Sequence, residues 1–251
     1  MKTISSFKAV FEKAAHGGSY HTVFDDFLTL CICCFSINPE TGNSFYEDEY
    51  LRIIEPYKAR KTLDYFPELL AELIIFMEEN RENSQGNDLL GDFFQQEITH
   101  GRNGQFFTPF HVCSMMAQMN SGEETRSMNV LDPTCGSGRM LVAFGLQSKI
   151  PHRFYGIDID PMCVKMSAIN LLLNGFQGEV VCADALSPDD FRFGYSLSHF
   201  PFGIFKVETK EESMIWKINQ NTFSKVKNNT TVIIESNQEK PNQVIRQLEL
   251  F

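Results

Sequence analysis

The sequence predicts an α/β fold, with parallel strands interleaved with helices and an all-α N-terminal domain in front of them. Three observations carry this expectation. From Ser6 to about Ile98 the apolar residues recur at helical spacing, notably in Val23 to Phe35, Tyr50 to Ile54 and Leu63 to Met77. After Gly101 short β-type runs alternate with helical ones, the pattern of a parallel sheet flanked by helices. The segment Asn129 to Gly138 then joins an apolar strand to an amphipathic stretch through a turn punctuated by glycines. The change of texture divides the chain into a helical domain over residues 1–102 and an α/β domain over residues 103–251.

Each element follows from local chemistry. Turn residues interrupt the helical half at Gly17-Gly18, at Asn38 to Asn43 and at Glu79 to Asn87, which leaves four or five helices. In the second half strands are expected at Asn129 to Leu131, Phe154 to Asp158, Glu179 to Cys182 and near Tyr195 to Ser198, with a further one at Thr230 to Glu235. Helices are expected at His111 to Asn120, Met140 to Gln147 and Pro161 to Asn174. Pro161 suits a first helical turn, and Asn174-Gly175 suits a helix end. No internal repeat or low-complexity tract breaks this order.

Composition bounds the function. A chain of 251 residues with 43% hydrophobic residues can bury a core. No apolar run reaches the roughly 20 residues of a membrane span, and the N-terminus lacks a basic start and apolar block, so a cytoplasmic protein without a membrane partner is expected. The seven cysteines lie mostly within apolar periodic stretches and read as buried thiols. The Cys31-Ile32-Cys33-Cys34 cluster has no second Cys or His pair at zinc spacing, so no metal site is expected. The formal charge of −10 is unusual for a chain that would hold nucleic acid alone. Residues 1–100 hold 17 acids and 8 bases, whereas the remainder holds 15 and 14, so the excess is N-terminal. An acidic face for a partner and a solvated acidic helical surface both account for it.

The residues with chemistry to offer follow the strands, where a doubly wound sheet places its ligand. After strand one come Asp132, Pro133, Thr134, Gly136, Ser137 and Gly138. Glycines let the backbone approach a ligand closely, and the next helix offers unpaired N–H groups and a positive dipole end. A nucleotide-phosphate loop would want a lysine there, and the chain has Arg139. Asp158 ends strand two, where an acid can accept bonds from ribose hydroxyls, while Asp160 before Pro161 suits a helix N-cap. Asp184 follows strand three, where it can meet a ligand or hold backbone N–H groups of its own loop.

The Asp132-Pro133-Thr134-Cys135-Gly136-Ser137-Gly138 turn resembles the first motif of S-adenosylmethionine-dependent methyltransferases in its adenine-N6 DNA form. Gly104-Gln105-Phe106-Phe107-Thr108-Pro109, some two dozen residues earlier, is similar to the segment that precedes motif one in type I modification subunits. The resemblance covers roughly residues 1–203, the helical part in character more than in motif. It implies a Rossmann-like methyltransferase sheet with S-adenosyl-L-methionine as cofactor. Phe107, Thr108 and Pro109 would lie along its methionine portion, an aromatic face covering the sulfonium by cation–π attraction. Asp158 would meet its ribose and Asp184 its adenine amine. Thr108-Pro109 is also an ordinary helix-starting pair.

The same resemblance locates a catalytic motif, Asn/Asp/Ser-Pro-Pro-Tyr/Phe, after strand four. Its oxygens would hold the target amine while the aromatic ring stacks on an extruded base. Here the aligned residues are His199, Phe200, Pro201 and Phe202. Phe202 keeps a stacking surface and Pro201 some rigidity, but His199 replaces the amide or acid with an imidazole that loses its acceptor on protonation. Two readings stand: His199 still orients an amine, or transfer is impaired and the chain is a noncatalytic cofactor-binding scaffold. Methylation of protein glutamine or RNA is a further alternative that the Gly-Gln-Phe-Phe-Thr-Pro segment argues against.

Only 48 residues follow Gly203, which predicts a truncated sheet and no target-recognition domain. DNA would then be read through a separate specificity subunit, and an exposed sheet edge would be covered by residues 231–235 or by a homodimer. Gln247, Leu248, Leu250 and Phe251 resemble the peptide by which bacterial proteins dock on the DNA sliding clamp. A tail packed on its own domain is the alternative.

Overall fold

The computed structural model describes residues 3–80, 88–99, 106–120, 125–187, 189–199, 202–217 and 245–247. Its first half is helical: α1 (Ile4–Ala14), α2 (Tyr20–Cys34), α3 (Glu47–Arg60), α4 (Tyr65–Glu79) and the short α5 (Leu89–Phe93), which runs into a π-helical turn at Phe94–Thr99. Thr3 and Ser6 exchange side-chain and backbone bonds in a capping box that starts α1. Glu47, Asp48 and Glu49 occupy the first turn of α3 and Lys58 and Arg60 its last, complementing the helix dipole. Rings knit the helices together. Phe93 meets Phe7, Phe11 and Phe24 at centroid distances of 5.0, 4.7 and 5.4 Å; such pairs add roughly 0.5–1.5 kcal/mol each beyond the area they bury.

The second half begins with α6 (Phe110–Asn120) and continues β1 (Asn129–Asp132), α7 (Arg139–Gln147), β2 (Arg153–Asp158), α8 (Pro161–Leu173) and β3 (Gln177–Ala183). The strands β1, β2 and β3 are parallel, in register Asp132↔Gly156 and Asp158↔Cys182. The α8 boundaries match the expected chemistry. Asp160 accepts from the Met162 N–H as N-cap, and Pro161 takes the first helical position. Gly175, at φ +76°, donates to Leu172 O while Phe176 donates to Leu171 O, a Schellman ending.

Strand four departs from the expectation. β4 (Phe191–His199) pairs antiparallel with β3, Gly178 opposite Leu197, and β5 (Phe202–Val207) pairs antiparallel with β4. Ala183 and Phe191 bracket residues 184–190, too short a segment for the crossover of a dozen or more residues that a parallel return requires. With β6 (Ile245–Gln247) beside β1, the sheet order is β5-β4-β3-β2-β1-β6. The strand expected at residues 230–235 lies outside the described residues, and β6 takes the place beside β1. The β5 edge is partly covered from within the chain: Ile204 N donates to Phe35 O, and the Ser36 hydroxyl donates to Ile204 O.

Alternation along the strands sorts two faces. Val130, Phe154, Val180, Cys182, Tyr195 and Leu197 point into one core shared by α1–α8. The other face, carrying Tyr155, Ile157, Val181 and Ala183, packs against Ile215 and Trp216. Both crossover helices lie on the first face, as right-handed connections through consecutive strands require. Lys165 on α8 ties the helical half to this core through Asp25 at 2.6 Å and Thr29 at 2.9 Å. All the cysteines except Cys34 are buried, and among the described residues no helix is long and apolar enough to cross a membrane.

Candidate cofactor site

The carboxyl ends of β1, β2 and β3 lie side by side, and the turn after β1 crosses them. Asp132 Oδ1 accepts from the Thr134 N–H at 3.0 Å, Cys135 N donates to Ile157 O at 2.9 Å, and Gly136 N donates to Asp158 Oδ2 at 2.8 Å. Gly136 and Gly138 stand at φ +55° and +80°, in the left-handed region that L side chains disfavour. A Cβ on Gly136 would lie 2.9 Å from the Phe107 ring, and one on Gly138 would lie 2.5 Å from Ser167 Oγ. The turn therefore needs both glycines for conformation and for space. Gly138 enters α7 with no side-chain cap and no acid in the first turn, so the helix start remains available to a ligand.

Two acids flank this turn. Asp132 is 2% exposed, and burial pushes its pKa up to about 6; Asp158 nearby adds to the shift and the Thr134 N–H opposes it. Asp158 is half-buried, and burial raises its pKa against the N–H groups of Asp160 and Gly136. It keeps acceptor capacity beyond those two donors, since a carboxylate offers about four sites. Pro133 is half-buried and Thr134 exposed. Asp184 follows β3; its Oδ1 accepts from the Leu186 N–H at 2.9 Å, so it shapes its own loop whatever else it does.

Facing the turn is the segment before α6. Phe106, Phe107, Thr108, Asp132, Thr134, Gly136 and Ser137 are among the residues lining a cleft of about 80 Å³. Phe107 stacks on Phe94 at 5.8 Å, and Phe106 at the mouth is 74% exposed. Pro109, not Thr108, occupies the N-cap position, since Pro109 O accepts from the Val112 and Cys113 N–H groups. Phe107, Thr108, Pro109 and the glycine turn are thus brought together, with Asp158 on the turn's other side.

His199 is not brought there. Because β4 runs antiparallel to β3, His199 lies at the amino-terminal end of β3, opposite the end that carries Asp132 and Asp158. It pairs with Phe202 across the β4–β5 hairpin; Phe200 and Pro201 lie outside the described residues. There it borders a cleft of about 350 Å³ with His152, Phe154, Phe176 and Gln177, and its Nε2 is buried without a hydrogen-bond partner among the described residues.

A family model for N-6 DNA methylases matches residues 86–242, more than half of the sequence. The chain belongs to that family. Over 124 residues it is 27% identical to the type I restriction enzyme MjaIX methylase subunit of Methanocaldococcus jannaschii, covering 45% of this chain and 21% of that protein. Over 105 residues it is 30% identical to the type II restriction enzyme and methyltransferase RM.BcgI of Heyndrickxia coagulans, covering 35% and 16%. The match thus spans about a fifth or less of either relative's length. Two solved structures are similar: a class I S-adenosylmethionine-dependent methyltransferase of Listeria monocytogenes (TM-score 0.45, 16% identity, 74% of this chain and 55% of that one) and the type I restriction-modification methyltransferase subunit of Streptococcus thermophilus (TM-score 0.35, 20% identity, 68% and 36%).

In this member of the N-6 DNA methylase family the least legible residues lie beneath the turn. Asp88, 1% exposed, accepts from Gly91 N and Asn170 Nδ2 on one oxygen and from Ser137 Oγ and Arg139 Nε on the other. Arg139, weighed in the sequence as a phosphate ligand, points inward instead and also reaches Asp92 at 2.8 Å and Thr108 O at 3.2 Å. Burial works against its charge, but Asp88 and Asp92 outweigh that and raise its pKa. No motif marks Asp88, because its side-chain partners are 49–82 residues away.

Proposed function

We propose that this N-6 DNA methylase family member binds S-adenosyl-L-methionine at the turn after β1 and carries out adenine-N6 transfer poorly or not at all. The observation that carries the binding half is the pair of left-handed glycines set between Asp132 and Asp158. The residues present suit the group: Asp158 has acceptor room for ribose hydroxyls, and Gly136 and Gly138, without side chains, let a ligand carboxylate approach Ser137 and the start of α7. Phe107, Thr108 and Pro109 line the methionine side, Asp132, Pro133 and Thr134 the turn, and Asp184 the adenine side. When bound, the cofactor supplies an electrophilic methyl group; this chain's residues bind and orient it.

The impairment rests on strand direction. His199, Phe200, Pro201 and Phe202 would have to stand beside the cofactor to hold an amine and stack a base, and the antiparallel β4 carries His199 and Phe202 to the sheet's other end. DNA would be supplied by a separate specificity subunit, in keeping with the acidic helical half. Titration calorimetry with S-adenosylmethionine tests the cradle. A transfer assay with methyl-labelled cofactor and adenine-rich DNA tests the impairment: label above background excludes a dead site, and turnover as fast as that of an active adenine-N6 methyltransferase run alongside refutes impairment altogether.

For the tail, Gln247 stands opposite Leu131 in β6, which favours packing on its own sheet. Docking of Gln247, Leu248, Leu250 and Phe251 on a sliding clamp would require β6 to detach. Clamp binding that survives deletion of residues 247–251 excludes the docking reading. Homodimerisation has less to recommend it than an open edge would give, because Phe35 and Ser36 already engage β5.

A further inference from the structure

We infer that Asp88 is a positioning residue for the cofactor turn, acting through Arg139 and Ser137, so that the helical half is a working part of the cofactor site. This rests on the reading of that turn as a cofactor cradle. Asp88 caps α5 and belongs by sequence to the helical half, yet its carboxylate fills all of its roughly four acceptor sites with donors from three elements. Gly91 N and Asn170 Nδ2 approach Oδ1 at 2.8 Å each; Arg139 Nε approaches Oδ2 at 2.7 Å beside the Ser137 hydroxyl. Asn170 Nδ2 also donates to Ser137 O at 2.9 Å, so Ser137 is held by its hydroxyl and its carbonyl at once. Gly136 and Gly138 on either side of it have no side chains, so Ser137 carries the side-chain anchor of this part of the turn to the helical half.

The same pair holds the opposite wall. Arg139 donates to Thr108 O at 3.2 Å and lies 5.7 Å from the centroid of the Phe107 ring. The same ring stacks on Phe94, in the π-helical turn directly after α5. One buried ion pair therefore sets the spacing between Phe107-Thr108 and Ser137, the two sides of the cleft. Gly91 is small for the same reason: a Cβ there would fall 2.2 Å from Asp88 Oδ2 and 2.6 Å from Ser137 Oγ.

The test compares the unmodified protein, Asp88→Asn, and the double variant Asp88→Asn with Arg139→Met. Removing one partner strands a buried charge and can unfold the chain, whereas removing both leaves only Asp92, whose side chain is 44% exposed, without its cation and can be nearly neutral for stability. The double variant should unfold near the wild-type midpoint yet bind S-adenosylmethionine at least about tenfold more weakly, a loss on the order of one broken buried polar contact. In the cofactor-free protein its amides from Gly136 to Val142 should exchange with deuterium at least about tenfold faster, while those of β2 stay unchanged. A folded double variant with wild-type affinity and wild-type exchange overturns the inference. If the unmodified protein binds no S-adenosylmethionine, the cofactor reading fails by itself, and the exchange arm still decides whether Asp88 positions the turn.

Discussion

Replacing Asp132 by asparagine should make this protein more stable at neutral pH and remove part of its pH dependence. Asp132 sits at the end of β1, almost fully buried, with its pKa pushed up to about 6 by loss of solvation and by Asp158. An unfolded aspartate titrates near 3.9. The folded state therefore prefers the protonated side chain. Its contribution is fully present below the unfolded pKa and is lost as pH rises through about 6. A difference of about two pKa units corresponds to about 3 kcal/mol at 1.36 kcal/mol per unit. In Asp132→Asn the amide oxygen of the new side chain can still accept from the Thr134 N–H, so the substitution removes the charge and keeps the bond seen at 3.0 Å.

Urea unfolding of both proteins between about pH 4 and about pH 8 measures this directly. Wild type should fall relative to Asp132→Asn by about 3 kcal/mol across that window, equivalent to about 6–12 °C in Tm for a chain of this size. Asp26, Asp92 and Asp158 are also raised by burial and tilt both proteins in the same direction. The difference between the curves is therefore the informative quantity. Some of it arrives through Asp158, whose ionisation the Asp132 charge opposes. A difference that stays flat with pH would show that Asp132 is already comfortably ionised in the fold, and the account of the turn as a dry, acid-bracketed cradle would be wrong.

Three further outcomes follow from particular contacts. Gly138→Ala should cost more than Gly42→Ala in urea unfolding: both have positive φ, with a backbone cost of about 1–2 kcal/mol, but Ser167 crowds only Gly138, and nothing lies within 4 Å of a Cβ at Gly42. Equal costs would mean that α8 yields freely to the turn. Glu179→Ala should red-shift the emission of Trp216, the single tryptophan, because Glu179 accepts from the Ser213 hydroxyl and the Met214 and Ile215 N–H groups that hold that segment on the sheet; an unchanged spectrum would show that Ile215 and Trp216 pack unaided. His199→Asn should leave methyl transfer to DNA where it was, and a gain of activity would refute the antiparallel placement of β4.

The β1–α7–β2–α8–β3 unit was legible because each of its boundaries has a local cause. Asp160-Pro161 starts α8, Asn174-Gly175 ends it, and the positive φ at Gly136 and Gly138 is what the glycine spacing asked for. Strand four is legible in position but not in direction: residues 195–198 lie within β4, whereas a parallel sheet was expected and β4 runs antiparallel to β3. The expected strand bounds at Cys182 and Tyr195 leave twelve residues between them, enough for a crossover, and only the earlier start of β4 at Phe191 shortens the connection to seven. The anchoring of Ser137 was not legible in the sequence. Apolar periodicity reports which face of an element is buried, but it carries no information on which buried charge will meet which, and Asp88 finds Arg139 only once α5 and α7 have packed.

Two of the buried carboxylates, Asp88 and Glu179, show what such pairings do that apolar packing does not. The core on the helical side of the sheet is built from many interchangeable Phe, Leu, Ile and Val contacts, which favour collapse without fixing one arrangement. Asp88 is satisfied only when α5, α7 and α8 stand at one set of distances, and Glu179 only when residues 213–215 present their donors to the far face of β3. A small slip of either neighbour leaves a carboxylate buried and short of donors, at a cost of roughly 1–3 kcal/mol or more for each lost partner. These acids therefore penalise near-native packings much more than they reward the native one. Asp88 does this directly beneath Ser137 and Arg139, which line the cleft proposed for the cofactor.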